Sequence, residues 1–198
     1  MIGAHQQPIG YPALAILITG MALFLLLLLV RDRRASSRNS ESGRSRRSIL
    51  GIGVQLVAFL CVGIGPLDIA LPATSPAAVE QAAFVLLLVA TTLGLFYASK
   101  RAMGRNWSLV ARTRSDHELV TWGPFAYVRH PIYSALFAWL LAMAAAFGHY
   151  WGLILGVPLY WIGTALRVAE EERLLRSHFG ADYDDYAARV KRFMPGTI

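Results

Sequence analysis

The chain holds a single cysteine, Cys61, in 198 residues. One cysteine excludes an intramolecular disulfide framework and a cysteine-based metal cluster. Its place inside an apolar run suits a small packing residue. Charge is also scarce, at 16% of residues against 56% hydrophobic. That balance is shifted away from soluble globular domains and toward a lipid-facing protein. Lys and Arg are missing altogether from 1–30, 49–99 and 132–166. No basic residue precedes the apolar run 13–30, which argues against a cleaved secretory signal. No metal-ligand spacing, nucleophile elbow or P-loop occurs. No internal repeat is evident, so an inverted-repeat transporter is unsupported.

All 19 basic residues lie in 31–48, 100–131 and 167–198. A membrane explains this pattern, because basic segments are retained on the cytoplasmic side. The net charge of +7 then reads as contact with anionic headgroups. Without a nucleic-acid motif it does not indicate nucleic-acid binding. The expected fold is all-α, a polytopic membrane protein with five transmembrane helices at about 13–30, 49–67, 82–98, 132–147 and 150–166. The third span has an alternative start nearer Ala77. The last two spans form a tight hairpin around Gly148-His149. Pro158 should kink the fifth. A charged tail, 167–198, extends the fifth helix and adds a short one, with Gly180 as the break. The N-terminus falls outside and the C-terminus in the cytoplasm. Residues 1–99 make an N-terminal membrane region that includes the Arg/Ser-rich linker 31–48. Residues 100–198 make the region that carries chemistry.

Four constellations stand out there. Pro131 suits the first position of a helix, which puts His130 at its cap, beside free N–H groups and the positive end of the dipole. Such a place binds a carboxylate; the alternative is an interfacial anchor made by Arg129 and His130. Arg167 ends seventeen uncharged residues, and Glu171 follows on the same helical face. The pair offers a fixed cation for a carboxylate or phosphate and an anion for hydroxyls or an amine; the alternative is a helix end with surface ion pairs. His117, Leu119 and Val120 sit in a loop able to wrap a nucleoside, or in an ordinary loop. Tyr183 and Tyr186 share a helical face and are expected to pack the tail against the bundle.

In order and spacing these pieces resemble the isoprenylcysteine carboxyl methyltransferase family, including its small prokaryotic members. The resemblance spans about 104–195. It rests on Gly104-x-Asn106-Trp107-Ser108, His117-x-Leu119-Val120, Gly123, Arg129-His130-Pro131-x-Tyr133, Arg167 followed by Glu170-Glu171-Glu172, Phe179-Gly180-x-x-Tyr183-x-x-Tyr186, and Pro195. It implies S-adenosylmethionine as cofactor, held by the C-terminal hairpin and tail. It implies cofactor contacts from His117, Leu119, Val120, His130, Tyr133 and Glu171. Phe125 stands where better-known eukaryotic members usually have tyrosine, so a hydroxyl is lost there while ring packing can persist. Arg167 is implied to engage a substrate carboxylate. The expected partners are the lipid bilayer and a lipophilic or lipidated acceptor, with no nucleic acid and no metal, in a bacterial or archaeal cell membrane. Membrane sterol and steroid reductases, which use NADPH, share a similar C-terminal region and form an alternative. Phospholipid amine methylation and a non-catalytic membrane protein are others.

Overall fold

The computed structural model describes residues 7–29, 45–104 and 118–193. Among these, six α-helices follow in order: α1 Tyr11–Leu29, α2 Arg46–Gly63, α3 Pro76–Met103, α4 Pro131–Phe147, α5 Gly152–Phe179 and α6 Ala181–Arg189. A 3-10 turn, Gly123–Ala126, precedes α4. The described residues form no strand, only an isolated parallel bridge between Val128 and Lys191. The all-helical expectation holds. Four helices, α1, α2, α3 and α5, are long and apolar enough to cross a membrane, while α4 is apolar but has only 17 residues. The chain is an integral membrane protein.

Local chemistry sets the boundaries. Ser45 and Ser75 cap α2 and α3, each side chain accepting from the backbone N–H three residues on. Pro76 and Pro131 open α3 and α4, where a missing N–H costs nothing. The third helix starts six residues earlier than the apolar run 82–98 and close to the alternative start. Gly148 ends α4 in the left-handed region, at φ 69°. Gly180, at φ 54°, separates α5 from α6. Helix α5 continues through Pro158 to Phe179.

Small residues decide the packing. A Cβ on Gly163 would lie 2.7 Å from Gly51 O, and one on Gly152 2.4 Å from Cys61 O. The α2 and α5 backbones therefore run antiparallel in close contact. Helix α5 lies chiefly on α2, whereas α4 lies chiefly on α3. The α4–α5 hairpin is thus opened out, each arm resting on an earlier helix. Thr92 Oγ1 on α3 donates to Ala135 O on α4 at 3.0 Å. Gly20 brings α1 against Val89 of α3. The cores between these helices are filled by Leu17, Val85, Val89, Trp139 and Ala142 on one side, and by Ala58, Val62, Leu140 and Tyr160 on the other.

The two ends of the bundle differ in chemistry. At one end His149 places its ring nitrogens 2.8 Å from Val62 O and 3.0 Å from Pro66 O. Residues 7–10 and 68–71 join it there through Ile9 N to Asp68 O at 2.8 Å and Leu71 N to Ile9 O at 3.1 Å. The other end gathers the C-termini of α1 and α3, the N-termini of α2 and α4, the charged end of α5, and α6. Lys100 there donates through Nζ to Leu27 O in the last turn of α1, a cation at a helix C-terminus.

Candidate active site

His130 occupies the N-cap position of α4, as its sequence context implies, with φ −127° and no capping bond from its side chain. The imidazole turns instead toward α5. Its Nδ1 lies 3.6 Å from Glu171 Oε2 and its Nε2 lies 3.3 Å from Glu172 Oε1. Burial alone would lower the histidine pKa; hydrogen bonding to Glu171 and Glu172, and their charges, outweigh it and raise the value.

One turn into α4, Tyr133 donates its hydroxyl to Glu171 Oε1. The Arg167 guanidinium carbon lies 5.0 Å from the centre of the same ring, a cation–π distance. Tyr160 donates to Tyr133 O at 2.5 Å, tying α5 to this turn. Arg167 NH1 also donates to Gln55 Oε1 on α2 at 2.9 Å. His130, Tyr133, Arg167 and Glu171, four residues drawn from two helices, therefore form one connected cluster.

The adjacent glutamates diverge because neighbouring helical residues point about 100° apart. Glu171 keeps 26% of its side chain exposed, whereas Glu172 keeps 2%. Glu172 Oε1 accepts from Arg129 NH2 at 3.1 Å and from Arg192 Nε at 3.0 Å; Oε2 accepts from Arg192 NH2 at 2.8 Å. Arg129 N and His130 N donate to Lys191 O and Arg192 O at 2.7 and 2.9 Å. Ser134 Oγ donates to Phe193 O at 2.9 Å. The segment 190–193 thus straps the start of α4. Sequence reading singled out neither Glu172 as its anchor nor Gln55 as an Arg167 partner. The run of three glutamates was a signal for the first; nothing local signals the second.

The other sequence candidates fall elsewhere. Phe125 is buried in the 3-10 turn, whose carbonyl accepts from the Tyr186 hydroxyl at 2.7 Å. Tyr183 and Tyr186 are buried, as expected of residues packing the tail. Leu119 and Val120 are half-buried in the irregular chain leading to that turn. His117, Asn106-Trp107-Ser108, Pro195 and most of the linker 31–48 lie outside the described residues. No group of three His, Cys, Asp or Glu able to hold a metal occurs among the described residues.

S-adenosylmethionine carries a sulfonium, an ammonium, a carboxylate and ribose hydroxyls. The cluster offers a partly exposed carboxylate at Glu171, the buried Tyr133 ring beside it and a buried imidazole at a helix N-terminus. That donor set fits such a molecule.

The chain resembles known proteins in sequence and in fold. Residues 82–177 match the model of the isoprenylcysteine carboxyl methyltransferase (ICMT) family. The protein-S-isoprenylcysteine O-methyltransferase of Schizosaccharomyces pombe is 37% identical over 94 residues, 46% of this chain and 40% of that protein. The protein-S-isoprenylcysteine O-methyltransferase B of Arabidopsis thaliana is 31% identical over 94 residues, 46% of this chain and 48% of its own. The nickel-cobalt-cadmium resistance protein NccN of Alcaligenes xylosoxydans xylosoxydans is 31% identical over 106 residues, 52% of this chain and 49% of its own. The chain spans less than half the length of each of these relatives. The solved eukaryotic intramembrane Ras methyltransferase ICMT shares the fold, with a TM-score of 0.63 and 23% identity over 93% of this chain and 68% of that one. The resemblance to the isoprenylcysteine carboxyl methyltransferase family is therefore shown, by sequence across residues 82–177 and by fold across nearly the whole chain.

Proposed function

We propose that this protein transfers a methyl group from S-adenosylmethionine to the carboxylate of a lipophilic acceptor of the prenylcysteine type. The supporting observation is the Arg167–Tyr133–Glu171 chain, in which one ring has a cation over its face and a partly exposed carboxylate at its hydroxyl. When bound, the cofactor supplies an activated methyl group. Glu171, Tyr133 and His130 hold it, with His117, Leu119, Val120 and Phe125 as further contacts. Arg167 holds the acceptor carboxylate bidentately and in line. A carboxylate held by Arg167 would accept the methyl group in its ionised form, so the chain's own residues would serve to bind and orient it. No proton moves, so no general base is required. Positioning supplies most of the acceleration.

The charged end of the bundle faces the cytoplasm in this reading. Helix α4 completes the crossing as the fifth span, short enough to thin the bilayer locally. The membrane is that of a bacterial or archaeal cell. Neither NADPH-dependent reduction nor phospholipid amine methylation is favoured by the matches. The test is methyl transfer in detergent micelles, from labelled S-adenosylmethionine to N-acetyl-S-farnesylcysteine. Labelled ester is expected from the wild type and not from Arg167→Ala. Folded wild type that binds cofactor but labels no carboxylate would defeat the acceptor assignment.

A further inference from the structure

Gln55 lies on α2, outside the stretch that matches the family model. It is 4% exposed, and both ends of its amide are engaged. Oε1 accepts from Arg167 NH1 at 2.9 Å, and Nε2 donates to Thr164 Oγ1 at 2.8 Å. The orientation is decided by chemistry, because a guanidinium only donates and must meet the amide oxygen. One turn earlier on α2, a Cβ on Gly51 would lie 2.6 Å from Arg167 Cγ and 2.7 Å from Gly163 O. Helix α2 therefore shapes Arg167 twice: a missing side chain makes room for its stem, and an amide directs its head.

The choice of an amide matters. A carboxylate at Gln55 would form an ion pair with Arg167 and compete with any anionic ligand there. An aliphatic residue would leave the guanidinium with one acceptor fewer and Thr164 without its donor. Glutamine orients the cation without adding a charge. We propose that Gln55 is a positioning residue for the acceptor carboxylate, holding the Arg167 guanidinium in the plane that receives it. This rests on the role assigned to Arg167 above. The N-terminal membrane half then sets acceptor selectivity at a site built by the C-terminal half.

The experiment measures, in full-length protein, affinity for S-adenosylhomocysteine, then affinity of the loaded protein for N-acetyl-S-farnesylcysteine and for its methyl ester. Wild type is expected to prefer the acid by about tenfold or more. Gln55→Glu, which keeps shape and an acceptor oxygen, should abolish that preference, and Gln55→Leu should reduce it. Affinity for S-adenosylhomocysteine should stay within about twofold in both. Three results would overturn the proposal: acid preference retained in both variants, no acid preference in the wild type, or acid preference and cofactor affinity lost together. Failure of the methyltransferase reading looks different, since the wild type would then not bind S-adenosylhomocysteine at all.

Discussion

The Arg167 guanidinium carbon stands 5.0 Å from the centre of the Tyr133 ring. A lysine ammonium is a point charge without the planar fork that lets arginine meet a ring, an amide oxygen and a carboxylate together. Arg167→Lys should therefore cut methyl transfer to a carboxylate acceptor by about tenfold or more. Its affinity for S-adenosylhomocysteine should remain within about twofold. Steady-state transfer kinetics beside calorimetric binding check both halves.

Glu172 holds the strap 190–193 against α4 and α5 through Arg129, His130 and Arg192. Removing one partner of a buried charge cluster leaves the others uncompensated, at a cost of about 3 kcal/mol or more. Glu172→Gln is expected to lower the thermal midpoint in detergent by at least about 5 °C. Asp185→Asn, at an exposed position of α6, should change it little. A midpoint unaffected by Glu172→Gln would show that the strap is held otherwise.

His130 has a pKa raised above its ordinary value, since burial, which lowers it, is outweighed by Glu171 and Glu172. Arg129 and Arg192 meet the same Glu172 carboxylate and oppose part of that effect. The contribution to stability is fully present below the unfolded value of about 6.5. It is lost as pH rises through the higher folded value. The thermal midpoint should accordingly decline from about pH 6 upward into the alkaline range, and His130→Gln should flatten that part of the profile. A wild-type midpoint that climbs over this range would contradict the assignment.

The α2–α5 crossing depends on glycine. A Cβ at Gly163 would meet Gly51 O at 2.7 Å and Gln55 N at 2.9 Å, both backbone atoms that cannot swing aside. Gly163→Val should force the helices apart and lower the yield of monodisperse protein, read by size-exclusion chromatography. Gly94→Val, on α3 where nothing lies within 4 Å, should be tolerated.

The placement of basic residues made the apolar spans legible, because a bilayer sorts charge along the chain. Pro131 and Gly180 marked a helix start and a helix break through backbone chemistry alone, and both stand where expected. The i,i+4 spacing of Arg167 and Glu171 placed them on one face, and Tyr133 turns out to join them. Gln55 was not legible: its bond to Arg167 spans 112 positions and depends on how α2 meets α5. The different fates of Glu171 and Glu172 were equally hidden, since adjacent identical residues are separated only by tertiary contacts. The hairpin was read correctly as a connection. Its arms nonetheless lie chiefly on α2 and α3, because glycine pairs and alanine-rich faces fit better there.

Calorimetric titration of the folded, detergent-purified protein with S-adenosylhomocysteine tests most directly whether α4 and α5 build a cofactor site. Saturable binding to one site is expected, weakened about tenfold or more by Glu171→Gln. Absence of heat or displacement at about 1 mM ligand, in protein shown to be folded, would mean that α4 and α5 hold no such site.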